Sequence, residues 1–132
     1  MSTGKDLTAP TRFKYEEATQ TDQLIVDTSI VMKAVFQERL RQLEKWGKQT
    51  HPDLNHDDKF YIEQSNYVKE WNEELVEKGR ISWSSILLEE VTEVLEARDI
   101  NDTYTELIQV MAVCQAWIED IVSKANQEPT VV

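Results

Sequence analysis

Five side chains in this chain of 132 residues have the chemistry and spacing to gather a hard cation: Glu89, Glu90, Glu93, Glu106 and Gln109. Take Ile86-Leu87-Leu88-Glu89-Glu90-Val91-Thr92-Glu93-Val94-Leu95-Glu96-Ala97 as a helix at about 100° per residue. Its apolar arc is then Ile86, Leu87, Leu88, Val91, Val94 and Leu95. Glu89 and Glu96 fall opposite that arc, where solvated carboxylates belong. Glu90 falls inside it, between Ile86 and Val94, and Glu93 borders it one turn on. A carboxylate taken into a core costs several kcal/mol unless something pairs with it. Two of them at i and i+3 also repel each other. A divalent cation resolves both problems.

A second helix carries the other half. From Thr103 to Lys124 the apolar positions Leu107, Val110, Val113, Cys114, Trp117, Ile118 and Ile121 make one stripe, with Glu106 inside it and Gln109 at its border. The turn Arg98-Asp99-Ile100-Asn101-Asp102 is short and polar, as an antiparallel helical hairpin requires. Glu93 and Glu106 are equidistant from the Asp99–Ile100 midpoint, and so are Glu90 and Gln109. Closing the hairpin should bring three carboxylates and an amide round one cavity. All are oxygen donors, which selects Mg²⁺ or Mn²⁺. Several carboxylates imply two or more ions bridging a polyphosphate, one of them activating the attacking water. The plainer alternative is an ordinary acidic helix followed by a Thr103–Glu106 capping box. That alternative leaves the core-facing position of Glu90 unexplained.

Upstream, Arg41-Gln42-Leu43-Glu44-Lys45-Trp46-Gly47-Lys48-Gln49-Thr50-His51-Pro52-Asp53 reads as a substrate-binding segment. Trp46 offers a face for stacking a base. Arg41 and Lys45 can hold phosphates, Gln49 can read a base edge, and His51 lies beside them. The competing reading makes Trp46 helix-end core and His51 a capping residue of the loop.

The string Glu89-Glu90-x-x-Glu93, with Glu106 on the next helix, resembles the all-α nucleoside triphosphate pyrophosphohydrolases of the MazG-like superfamily, whose pattern is EExxE followed by ExxD. The resemblance spans roughly Phe36 to Ile121. It departs at Gln109, where the family usually has Asp. The RQxxKWGxQxHPD run ahead of an ILLEEVxE helix resembles a phage and bacterial branch that includes the MazZ type. The resemblance implies Mg²⁺-dependent hydrolysis of a (d)NTP to the monophosphate and pyrophosphate, with dGTP or dATP as substrate. It also implies a bacterial or phage-infected host cytosol. Glu90, Glu93 and Glu106 would then be metal ligands, and Glu89 a base or the holder of a further ion.

These residues need a helical scaffold, and composition supplies one. Three Gly and three Pro are few turn formers, so the fold class expected is all-α, a four-helix bundle. The length allows one domain, burying roughly two thirds of its unfolded surface. Residues 1–23 should form a loosely ordered arm, 24–126 the catalytic domain, and 127–132 a frayed tail. The first helix, from Leu24 to about Trp46, is apolar over most of its circumference. Such a helix lies between layers or at a subunit interface, and the faces that four apolar helices leave uncovered, this one's especially, lead to the expectation of a homodimer or homotetramer. Lys59 to Lys78 should present Phe60, Tyr67, Val68, Trp71 and Leu75 on one face, and Ser82 should cap the third helix.

A net charge of −11 argues against general nucleic-acid binding. No run approaches the roughly 18 apolar residues of a membrane span, and no signal-peptide segment is evident. A cytosolic protein without membrane or nucleic-acid partners is expected, its single Cys114 in the core. The competing function is a non-catalytic acidic helical adaptor or DNA mimic. Within the enzyme class, dUTP and phosphoribosyl-ATP are the rival substrates.

Overall fold

The computed structural model describes residues 11–54 and 59–127, with side chains from residue 20 onward. Residues 1–10 of the expected arm, residues 55–58 of the loop (including His56) and residues 128–132 of the expected tail lie outside the described residues. The described residues form four helices: α1 (Thr11–Trp46), α2 (Lys59–Glu77), α3 (Trp83–Leu95) and α4 (Ile100–Gln127). Among the described residues there is no strand, so the all-α expectation holds. No described helix is long and apolar enough to cross a membrane.

The chain divides into two compact units, residues 1–48 and 49–132. The first contains α1, which begins at Thr11 rather than at Leu24. Good helix formers (Lys14, Glu16, Glu17, Ala18, Gln20) carry the helix back through a segment that lacks an apolar stripe. At its other end Gly47 adopts φ +70, and its N–H donates to the Leu43 carbonyl at 2.8 Å. The left-handed conformation that stops the helix is cheap only for glycine.

The second unit contains α2, α3 and α4, with α3 packed against both neighbours. Its helix ends are specified locally. Gly79 takes φ +65, Gly79 N–H donates to Val76 O (3.1 Å) and Arg80 N–H to Leu75 O (2.8 Å), the two bonds of a Schellman stop. Ser82 caps α3 as expected, and Ser85 completes a reciprocal capping box, its Oγ accepting from the Ser82 N–H at 2.9 Å. Asp99 caps α4, its Oδ1 accepting from the Asp102 N–H at 2.8 Å, while the Thr103 hydroxyl donates to the Asp99 carbonyl. Thr103 is therefore a residue of the first turn, and Glu106 has no capping role.

The α2–α3 seam is small and polar. Ser65, Val68 and Asn72 are buried on α2, and Ser85 and Thr92 on α3. Phe60, Tyr67 and Trp71, expected on the core face, are exposed. Small side chains at i, i+3 and i+7 let two helices approach closely, and here that contact has taken precedence over the aromatic stripe. The α3–α4 contact is tied by the Trp83 indole N–H, which donates to Asp120 Oδ2 at 2.7 Å. Lys124 Nζ holds the same carboxylate at 2.8 Å.

Candidate active site

Glu90 lies mid-way along α3, half-buried, and its Oε2 is shielded from solvent with no hydrogen-bond partner. Burial pushes its carboxyl above the ordinary value, and the charges of Glu106, Glu93 and Glu89 push it further the same way. Among those charges Glu106 comes first, ahead of the two on Glu90's own helix. That follows from the hairpin. With α3 ending at Leu95 and α4 starting at Ile100, the centre of the connection falls between Ala97 and Arg98, not between Asp99 and Ile100. The register moves accordingly: the position opposite Glu90 becomes Thr105 instead of Gln109, and its neighbour Glu106 is the α4 carboxylate nearest that level.

Glu93 and Glu106 are half-buried, whereas Glu89 and Gln109 are exposed. Gln109 thus stands at the solvent edge of α4. Among the described residues no three His, Cys, Asp or Glu side chains are already set closely enough to hold an ion. The donors nonetheless suit a hard cation in kind: they are carboxylate oxygens, and one of them is buried without a donor to satisfy it.

The opposite side of α3 carries an ammonium that the sequence reading passed over. Lys69 on α2 pairs with Glu96 at 2.7 Å. Its amine is held above the usual lysine value, chiefly by the hydrogen bond to Glu96, and despite some desolvation. Glu93 and Glu89 add to the effect. Lys69 and Asn72 line an open groove of about 470 Å³ with Glu73, Val76, Glu77 and Glu89. Asn72 Nδ2 donates to the Ser85 carbonyl at 3.0 Å, while its Oδ1 is buried and unpartnered. The signal that could have found this pair was the spacing Ser65–Val68–Asn72, which orients α2 and carries Lys69 to the rim.

No family model, curated protein or solved structure matches the chain.

The upstream segment straddles the two units. Arg41, Lys45 and Trp46 belong to α1, while Gln49 and His51 begin the second unit. Arg41 is exposed and ion-paired with Glu38 on its own helix. Lys45 Nζ lies 4.9 Å from the centre of the Trp46 ring, close enough for a cation–π contact. Trp46 is 55% exposed. Gln49 and His51 are exposed. The end of the segment, Asp53 and Leu54, shares a small pocket of about 120 Å³ with Tyr61 and Leu95.

Proposed function

We propose that this chain is a divalent-metal-dependent (d)NTP pyrophosphohydrolase of the MazG-like kind. It converts a purine deoxynucleoside triphosphate, dGTP or dATP, to the monophosphate and pyrophosphate, and works as a homodimer or homotetramer. The single observation that carries this reading is the buried, unpartnered Glu90 Oε2, in a site where Glu93 and Glu106 add negative charge rather than relieve it. A structural carboxylate would be expected to have a donor or a cationic partner. Mg²⁺ or Mn²⁺, two or more ions when bound, would neutralise phosphate charge and supply a nucleophilic water at neutral pH.

Glu90, Glu93 and Glu106 are the residues to hold the ions, and Gln109 would add a neutral donor or orient a water. Because these donors are not already gathered, Glu93 and Glu106 must rotate about their side-chain torsions to close on an ion. Glu89, exposed and beside Glu90, takes the proton from the attacking water or holds a further ion. In the first unit Arg41 and Lys45 carry groups that can bind phosphate oxygens and Trp46 a face that can stack on a base, and in the second Gln49 and His51 are candidate substrate contacts. Hydrolysis at the α-phosphorus breaks the bond to the β-phosphate oxygen and releases pyrophosphate.

The rival reading, an acidic adaptor, requires Glu90 to be an ordinary solvated surface carboxylate. Pyrophosphate release from a panel of dNTPs, with Mg²⁺ or Mn²⁺ and with chelator, separates the readings. The expected outcome is metal-dependent release, best with dGTP or dATP. Preference for dUTP or dCTP would remove the purine assignment, and no release from any triphosphate would remove the enzyme.

A further inference from the structure

The outer side of α4 is a self-complementary seam. Tyr104, Leu107, Met111, Cys114, Ile118, Ile121 and Ala125 recur at alternating spacings of three and four, the a/d pattern of a coiled coil. They lie beside, not on, the face that packs against α3. That inner face is Glu106, Val110, Val113, Trp117 and Asp120, all half-buried, and Asp120 takes the Trp83 hydrogen bond. The seam is left open within its unit: Leu107 is 46%, Met111 47% and Ile121 53% exposed.

We infer that this seam is the contact between two copies of the chain, α4 against α4. Charge permits a second copy on this face. The chain carries −11, so self-association is repulsive wherever carboxylates line the contact. The positions flanking the seam are Ile108, Gln115 and Val122 on one side and Thr103, Val110, Trp117 and Lys124 on the other. None is acidic, and Glu106, Glu119, Asp120 and Asp102 all lie further round the helix. Area agrees. The exposed seam with Ile108 and Val122 offers roughly 700 Å² per copy, against the roughly 800 Å² per partner of a stable complex. Cys114 sits at the middle of the seam, so parallel and antiparallel pairings both bring it to, or within one residue of, its counterpart. The inference rests on the homo-oligomer part of the proposed function and locates its contact; its test reads mass and not turnover, so its failure leaves the catalytic reading standing.

The test is the mass of the full chain by size exclusion with light scattering, followed by mild oxidation and a non-reducing gel. The natural chain should run at twice the chain mass or a higher even multiple, and oxidation should link copies through Cys114. Ile118→Glu should give the single-chain mass with its helical circular dichroism retained, while Glu119→Lys, off the seam, should leave the mass unchanged. A natural chain of single mass across micromolar concentrations would overturn the inference. So would an Ile118→Glu variant that keeps the oligomer mass. Should Ile118→Glu fail to fold, the Cys114 link in the natural chain decides: absence of linked dimer overturns it.

Discussion

Glu90 on α3 and Glu106 on α4 repel each other across the hairpin, and the Glu90 oxygen shielded by that packing has no donor. The pair is a local cost to the fold that a bound cation would convert into a gain. Replacing one charge by an isosteric amide should therefore help the fold and harm the chemistry. Glu90→Gln is expected to stabilise the metal-free protein by on the order of 1 kcal/mol or less, seen as a higher melting temperature, since like-charge relief on helices is small. The same variant should lose metal-dependent pyrophosphate release. A variant that melts markedly lower than the natural chain would mean that the Glu90 carboxylate supports the fold.

The same geometry fixes a dependence on pH. Glu90's carboxyl is held above its ordinary 4.5 in the folded chain. A raised acid binds its proton more tightly folded than unfolded, so its contribution to stability is complete below 4.5 and is lost as pH rises through the raised value. The metal-free protein should thus gain stability as pH is lowered from neutrality toward 4.5, and Glu90→Gln should lose that part of the gain. Asp120 acts in a separate window. Lys124, and then the Trp83 indole, hold its carboxyl below the ordinary 3.8. Its contribution fades only as pH falls below that value. Denaturant melts of the natural chain and Glu90→Gln at several pH values check this; parallel curves would remove the Glu90 assignment.

The all-α class, the four helices and the stops at Gly47 and Gly79 were legible because they rest on local chemistry: few turn formers, long runs of helix formers, glycines free to take positive φ. The core-facing position of Glu90 was legible from one helix wheel. What the wheel could not carry was the register between helices. A connection ending at Asp99 instead of Asp102 moves the position opposite Glu90 back along α4 by about one turn, from Gln109 to the neighbourhood of Glu106, and only the Asp99 cap distinguishes the two. Nor could hydrophobicity locate the α2 face. Phe60, Tyr67 and Trp71 make the better apolar stripe, yet Ser65, Val68 and Asn72 are the residues that fit against α3.

That register rests on a cap that can be tested. Asp99 accepts the Asp102 N–H through its side chain, so Asp99→Ala should cost about 1 kcal/mol, or about 3–5 °C in melting temperature for a chain of this length. Thr103→Ala removes only a hydroxyl bond to the Asp99 carbonyl inside the first turn and should cost less. Thermal melts of the two variants give the order directly. If Thr103→Ala were the more damaging, the helix would begin at Thr103, and Gln109 would return to the level of Glu90.

Binding of a divalent ion should be visible without any substrate. A ligand taken up by the folded chain alone stabilises it by about 2.7 kcal/mol when present at a hundred times its dissociation constant. With Glu90, Glu93 and Glu106 as the donors, Mg²⁺ or Mn²⁺ should raise the melting temperature of the natural chain well beyond a salt control of equal ionic strength. The control matters, because any salt relieves self-repulsion in a chain of charge −11. Glu106→Gln should lower the response to the two cations while leaving the response to salt in place, since the residue on α4 completes the donor set that α3 begins. Equal responses in both proteins would show that screening accounts for the whole effect, and the three carboxylates would then be neighbours without a common ligand.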